Sequence, residues 1–413
     1  MRILLITWAC DREDISEPGV SHKWVSQLAE EHDVTILGVS KPDRYGCLKE
    51  QFPHNRVIEW SDMRMPRSMA RFQAVAKPGY VPFYWRARRF LKALLAKEHF
   101  DVIHHLSPFT WRYPSPAAGL AVPLLRGPLA GGLLTPPELA NTVKAAEPRF
   151  MSLRKTDDAR KLYDPFLRAS FRQTDKLLVA APYVLDLLPP LTIPPYEVEL
   201  EHGIDDPLPF TYDVARSLER DEVNLLYVGR VVRTKGTRDA VRAMAQVSTS
   251  TRVKLTIIGD GDDLEACRRE AAELGVTEKV DFLGWRTKPE VDAHLANADV
   301  FLFPSFREPT GGVLLEALRH SLPCITCDYG GPAHIVDDSC GIRVPPAPEA
   351  DFAQDIAAAI DCLADDPGLR HQLAKGASWR AENEFDWKSK RRRIGAIYSD
   401  LVRARLAEHK HSA

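Results

Sequence analysis

At 413 residues the chain is longer than one hydrophobic core usually organises, and its 45% hydrophobic and 27% charged residues are the balance of an ordinary soluble globular protein of two or three domains. A formal net charge of −2 gives no case for nucleic acid as a partner. The seven cysteines are scattered. Only Cys324 and Cys327 make a CxxC, with no second pair, so neither a zinc site nor a redox pair is expected, and a cytoplasmic location follows.

In chain order, residues 1–9 are apolar but too short for a membrane span, and Asp11, Glu13 and Asp14 follow at once. They read as a first buried strand. A loop over 10–20 holds Glu17-Pro18-Gly19 and leads to a helix from about 21 to 31 and a strand over 34–39. Residues 41–100 are the least regular. Acidic residues are scarce between Asp62 and Glu98, and arginines and aromatics alternate over 64–92. Such a stretch can lie on an anionic membrane surface or hold a phosphorylated acceptor. The plainer alternative is a solvated helix face with buried aromatics.

Residues 100–106 form an apolar strand carrying His104 and His105, which point to opposite faces. Trp111 follows. Residues 123–132 are a strand feeding a loop that ends in Gly131 and Gly132. The segment 206–220, with Pro207 and Pro209, reads as a linker, and a second series of alternating strands and helices begins at Asn224. Its first turn, Gly229 to Gly236, holds Arg230 and Lys235, suited to a diphosphate: Arg binds it bidentately and Lys supplies a point charge. Asp260-Gly261-Asp262-Asp263 reads as a helix cap, not a metal motif. Trp285 and Arg286 close a later strand.

The stretch 303–332 is a strand–loop–helix–strand unit with Gly311 and Gly312 at the helix start. Unpaired N–H groups and the positive dipole end suit a phosphate there. Glu308 before the helix and Glu316 inside it are placed to grip hydroxyls on either side.

Glu308 and Glu316, with Pro309 and Gly311 between them, resemble the paired-glutamate signature of retaining GT-B glycosyltransferases of the GT4 family, and Gly229, Arg230, Lys235 and Gly236 match that family's Gly-Arg…Lys-Gly motif. The aromatic residue expected after Pro309 is replaced by Thr310. The resemblance implies an α/β protein of the GT-B fold, two Rossmann-like domains facing a central cleft. Residues 1–205 would be the acceptor-side domain, with a C-terminal helix over about 388–413 packing back on it, and 206–387 the donor-binding domain.

The activity implied is transfer of a hexosyl unit, with retention, from a nucleotide diphosphate sugar to an acceptor hydroxyl. A UDP-sugar is favoured over a GDP-sugar, and no metal or other cofactor is expected. The acceptor would be a saccharide, a lipid-linked saccharide or a small molecule, and a peripheral position on the inner face of the plasma membrane is a further expectation. Arg230 and Lys235 would stabilise the leaving diphosphate, Glu308 would bind the sugar and Glu316 the ribose. Gly229, Thr310, Gly311, Gly312 and Val313 would line the donor, Gly19 would touch its phosphates, and Trp285 and Arg286 would border the base. His104 and His105 are catalytic candidates. Trp111, Gly131, Gly132 and His202 are candidates on the acceptor side.

Three other readings are weighed. A sugar-nucleotide 2-epimerase shares the architecture, but the paired glutamates argue against it. A non-catalytic membrane or scaffold protein is disfavoured by the intact Arg230, Lys235, Glu308 and Glu316. A dinucleotide oxidoreductase would need G-x-G-x-x-G after a first strand, and neither series has it.

Overall fold

The computed structural model describes residues 1–14, 16–40, 46–61, 63, 77–143, 155–189 and 193–412. The chain divides into two compact units: Met1–Gly132 with Ser152–Glu201 and Lys390–Ala413, and Leu133–Met151 with His202–Ser389.

In the first unit, Ile3, Leu4, Leu5 and Ile6 are fully buried, the pattern of a strand covered on both faces. The strands are β1 (Arg2–Thr7), β2 (Asp33–Ser40), β3 (Arg56–Ser61), β4 (Val102–Ser107), β5 (Leu124–Leu129), β6 (Lys176–Val179) and β7 (Tyr196–Val198). All pairings are parallel, in the order β3-β2-β1-β4-β5-β6-β7. The order reverses between β1 and β4, which opens a crevice at their carboxyl ends.

Two local expectations are corrected here. The first helix spans Glu17–Ala29, so Gly19 lies in its first turn and not in a loop. Pro18 is no obstacle, because the amide it lacks would have no partner in a first turn. Residues 41–100 are more regular than composition suggests: they include β3 and the helix Tyr80–Leu95. That helix buries Tyr80, Phe83, Tyr84, Ala87, Leu91 and Leu94 on one stripe. Residues 64–76 of the basic stretch lie outside the described residues.

The C-terminal helix runs Trp387–Ser412. From Lys390 onward it belongs to the first unit. Lys390 is fully buried, ion-paired with Glu199 and 5.2 Å from the Trp24 ring, and Arg393 meets the same carboxylate at 2.8 Å. A buried charge is retained only with such compensation.

The second unit holds β8 (Glu222–Val228), β9 (Arg252–Ile258), β10 (Val280–Gly284), β11 (Val300–Phe303), β12 (Cys324–Cys327) and β13 (Gly341–Val344). The sheet is parallel throughout, in the order β10-β9-β8-β11-β12-β13, the doubly wound arrangement with its switch between β8 and β11. Cys324 and Cys327 are buried free thiols.

The division also differs from a boundary at 205. Residues 133–143 join the second unit: Arg307 donates to Thr135 Oγ1 at 3.0 Å, and Leu133 packs on Gly330. Residues 202–205 join it as well, since Ile204 N–H donates to Phe385 O at 2.8 Å and Ile204 O accepts from Trp387 at 3.2 Å. Among the described residues no helix is long and apolar enough to cross a membrane.

Candidate functional site

The carboxyl ends of β8 and β11 carry the residues singled out in the second unit. After β8, the chain turns through Gly229 and Arg230 into a short 3-10 turn, Arg233–Lys235, and then the helix Thr237–Gln246. Gly236 joins them with φ +72°. A Cβ there would meet Pro304 O at 2.1 Å, so the loop after β8 and the loop after β11 touch at a point only glycine permits.

Lys235 and Glu308 form an ion pair across those two loops, with side chains 13% and 14% exposed. Lys235 Nζ also lies 5.6 Å from the Phe303 ring centre. Phe303 stacks on Tyr227 with centroids 5.8 Å apart, and the Tyr227 hydroxyl donates to Arg230 O at 3.1 Å. Burial pushes the Tyr227 phenol up, so it remains a donor. Arg230 itself is exposed and makes no ion pair among the described residues. The neighbouring Arg233 is committed elsewhere: it forms a fork with Asp239 at 2.6 and 3.0 Å and reaches Glu349 at 2.9 Å.

The loop after β11 is held from the far side. Gly331 N–H donates to Glu308 O at 2.9 Å. A Cβ on Gly331 would meet Thr310 O at 2.5 Å and Pro309 O at 2.6 Å. Gly311, at φ +84°, starts the helix Gly312–Arg319, in whose first turn Gly312 and Val313 are half-buried. The structure therefore brings Lys235, Glu308, Thr310 and the free amides of this helix start to one edge of the sheet. His202 joins them: its ring lies 3.8 Å from where a Gly312 Cβ would be. His202 thus belongs with the helix start of the second unit, not with the first.

Glu316 sits farther along that helix, 40% exposed and 2.7 Å from Lys288 Nζ. Trp285, after β10, is 71% exposed, and Arg286 donates to its carbonyl at 2.9 Å. Among the described residues no group of three or more His, Cys, Asp or Glu is arranged to hold a metal.

The candidates in the first unit fare differently. His104 is fully buried; Nδ1 meets the Tyr398 hydroxyl and Nε2 meets Gly127 O, both at 2.7 Å. Burial lowers its pKa to about 4. With both ring nitrogens occupied it is a core residue, which corrects its place among the catalytic candidates. His105 is also buried, 3.4 Å from the Tyr80 hydroxyl, and burial drives its pKa well down. Trp111 is a core residue too, packed with Leu129, Leu167 and Phe171, and so offers no face to an acceptor.

Gly131 and Gly132 lie at φ +75° and +78°. Gly131 faces open space, while Gly132 rests against Leu187 and Trp111. Gly19 packs on the Asp14 carbonyl, where a Cβ would be only 1.7 Å away, so its role there is close helix–loop packing.

Sequence reasoning missed Tyr227 and Phe303 as supports of Lys235, and Gly331 as the clamp on the Glu308 loop. The signal for Tyr227 was present: a tyrosine inside a buried strand needs a partner for its hydroxyl.

Residues 213–379 match the family described as glycosyl transferases group 1. Glycogen synthase of Mycobacterium tuberculosis is 31% identical over 186 residues, 45% of this chain and 44% of that protein. The chain spans about half the length of the curated relatives it matches. Sucrose-phosphate synthase from Thermosynechococcus elongatus superposes with a TM-score of 0.62 at 21% identity, covering 98% of this chain and 100% of that one. Anabaena HepE, solved with UDP-glucose, gives a TM-score of 0.58 at 17% identity over 97% of this chain and 100% of its own. The fold is the GT-B fold, and residues 213–379 are similar to the glycosyl transferases group 1 family.

Proposed function

We propose that the chain is a retaining glycosyltransferase that moves a hexosyl unit from a nucleotide diphosphate sugar to an acceptor hydroxyl without a catalytic metal. The observation that supports this best is the Lys235–Glu308 pair at the β8/β11 switch, beside the exposed Arg230 and a glycine-initiated helix. As the sugar–phosphate bond breaks, negative charge grows on the departing diphosphate. Arg230 and Lys235 take up that charge, aided by the amides of Gly311 and Gly312. Glu308, an acceptor-only carboxylate, holds sugar hydroxyls, and Glu316 holds the ribose. Attack from the face the diphosphate leaves, with a departing phosphate oxygen taking the acceptor proton, retains the anomeric configuration.

A UDP-sugar is the first donor to test, since HepE shares the fold and was solved with UDP-glucose; GDP-sugars come second. In this reading Trp285 and Arg286, in the loop after β10, border the base. Saccharides, lipid-linked saccharides and small molecules are the acceptor classes.

The test is thermal unfolding of the purified protein with UDP, GDP, ADP and dTDP, followed by their sugar conjugates. A ligand that binds only the native state stabilises it by about 2.7 kcal/mol at a hundred times its Kd. A clear shift with one nucleotide supports the donor site, and none with any overturns it. Turnover unchanged by EDTA checks the metal-free chemistry.

A further inference from the structure

The helix Tyr80–Leu95 buries one stripe and leaves the other bare. Val81 is 62% exposed and Trp85, one turn on, is 53% exposed. Helical spacing places Arg89 and Lys92 on the same exposed face. Trp85 does not stand alone. Its ring meets Phe166 edge-on, with centroids 5.4 Å apart, and Phe166 begins the separate helix Pro165–Arg172. Phe166 is 50% exposed and Tyr163, just before it, 78%. Two elements distant in sequence thus build one patch of large aromatic side chains that the first unit does not cover. Several such groups together are unusual on a surface that faces only water.

The charges around the patch identify its occupant. The helix carries Arg86, Arg88, Arg89 and Lys92 and no Asp or Glu. Arg88 is spent inside, donating to Pro116 O and Ala118 O at 3.2 and 2.7 Å, and Arg86 lies over the Trp60 ring at 4.3 Å. Arg89 and Lys92 are exposed and make no ion pair among the described residues. The carboxylate nearest Phe166 along the chain, Asp164, is occupied by the amides of Phe166 and Leu167 and by Arg160. Exposed Trp, Phe and Tyr rimmed by uncompensated cations match the headgroup layer of an anionic bilayer: the rings sit at the interface and the cations meet lipid phosphates.

We infer that the Trp85–Phe166 patch, with Arg89 and Lys92, docks the first unit onto an anionic lipid bilayer. This stands apart from the donor reading, because none of these residues lies in the second unit.

The experiment is co-sedimentation of the full chain with phosphatidylcholine vesicles, with and without phosphatidylglycerol, at low and high salt. Binding is expected only to the anionic vesicles and should weaken as salt rises. R89Q/K92Q should lower partitioning about 30-fold, on the order of a kilocalorie per charge near the surface. W85A/F166A, both at exposed positions, should lower it at unchanged circular dichroism and thermal midpoint. No binding to anionic vesicles, equal binding to both kinds, or unchanged binding by both variants overturns the inference. So does a sedimentation-equilibrium dimer that W85A/F166A dissociates in a chain that ignores vesicles, because the patch would then face a second copy.

Discussion

Lys235 and Glu308 form a shielded ion pair that ties the loop leaving β8 to the loop leaving β11. Each side chain is near 14% exposed, so the pair is screened little and its geometry is held by Phe303 on one side and by the Gly331 amide behind Glu308 on the other. A cation presented this way needs little reorganisation when a phosphate arrives.

Lys235→Ala should cut sugar transfer at least ~100-fold, the scale of removing one preorganised charge stabiliser. Steady-state turnover with the donor found by thermal shift checks this, and near-normal turnover would remove Lys235 from the chemistry.

Glu316→Ala should leave stability nearly unchanged, because its exposed pair with Lys288 contributes only ~0–1 kcal/mol. Donor affinity should fall about tenfold, as for a lost charged hydrogen bond. Calorimetry with the nucleoside diphosphate decides: unchanged affinity leaves Glu316 as a surface partner of Lys288 alone.

Tyr227 tests the support beneath the site. Tyr227→Phe keeps the stack on Phe303 but removes the donor to Arg230 O, and should cost roughly 1 kcal/mol of stability with a few-fold loss of turnover. Tyr227→Leu removes the ring as well and should lower turnover further at similar donor KM. If Phe and Leu behave alike in kcat, the stack does not position Lys235.

His104 predicts a pH dependence. Its folded pKa, about 4, lies below the usual histidine value, so the unfolded chain binds the proton more readily. Its effect on stability is absent above about pH 6.5 and grows as a loss when pH falls toward 4, reaching roughly 3 kcal/mol. Urea unfolding at pH 7 and pH 5 should show this loss, and His104→Gln should flatten part of the slope. A slope unchanged in the variant would assign it to other groups.

How much was legible in advance varies with the range of the interaction. The two series of strands and the Gly-flanked loops after β8 and β11 were readable because they rest on local pattern: apolar runs, a glycine at a positive φ, a helix start. The helix beginning at Glu17 was misread, since Pro18 signals a break in general but is tolerated in a first turn. The separation of 133–143 from its neighbours could not be read at all, because the bond from Arg307 to Thr135 spans 172 positions.

The sequence by itself determined the parallel two-unit architecture and the chemistry offered at the β8 and β11 ends: Arg230, Lys235, Glu308 and the glycine pair. Only the tertiary structure decided which polar side chains are free to use. His104 and His105 look equivalent in the chain. Both are withdrawn into the core, His104 by partners 23 and 294 positions away, Gly127 and Tyr398, and His105 beside the Tyr80 hydroxyl. Arg230 and Arg233 stand three positions apart in one turn, yet Asp239 and Glu349 consume the second and leave the first exposed. The physical reason is the same in both cases. Residue type sets what a group can bond to, but burial and the partners the fold delivers set whether that capacity is already spent.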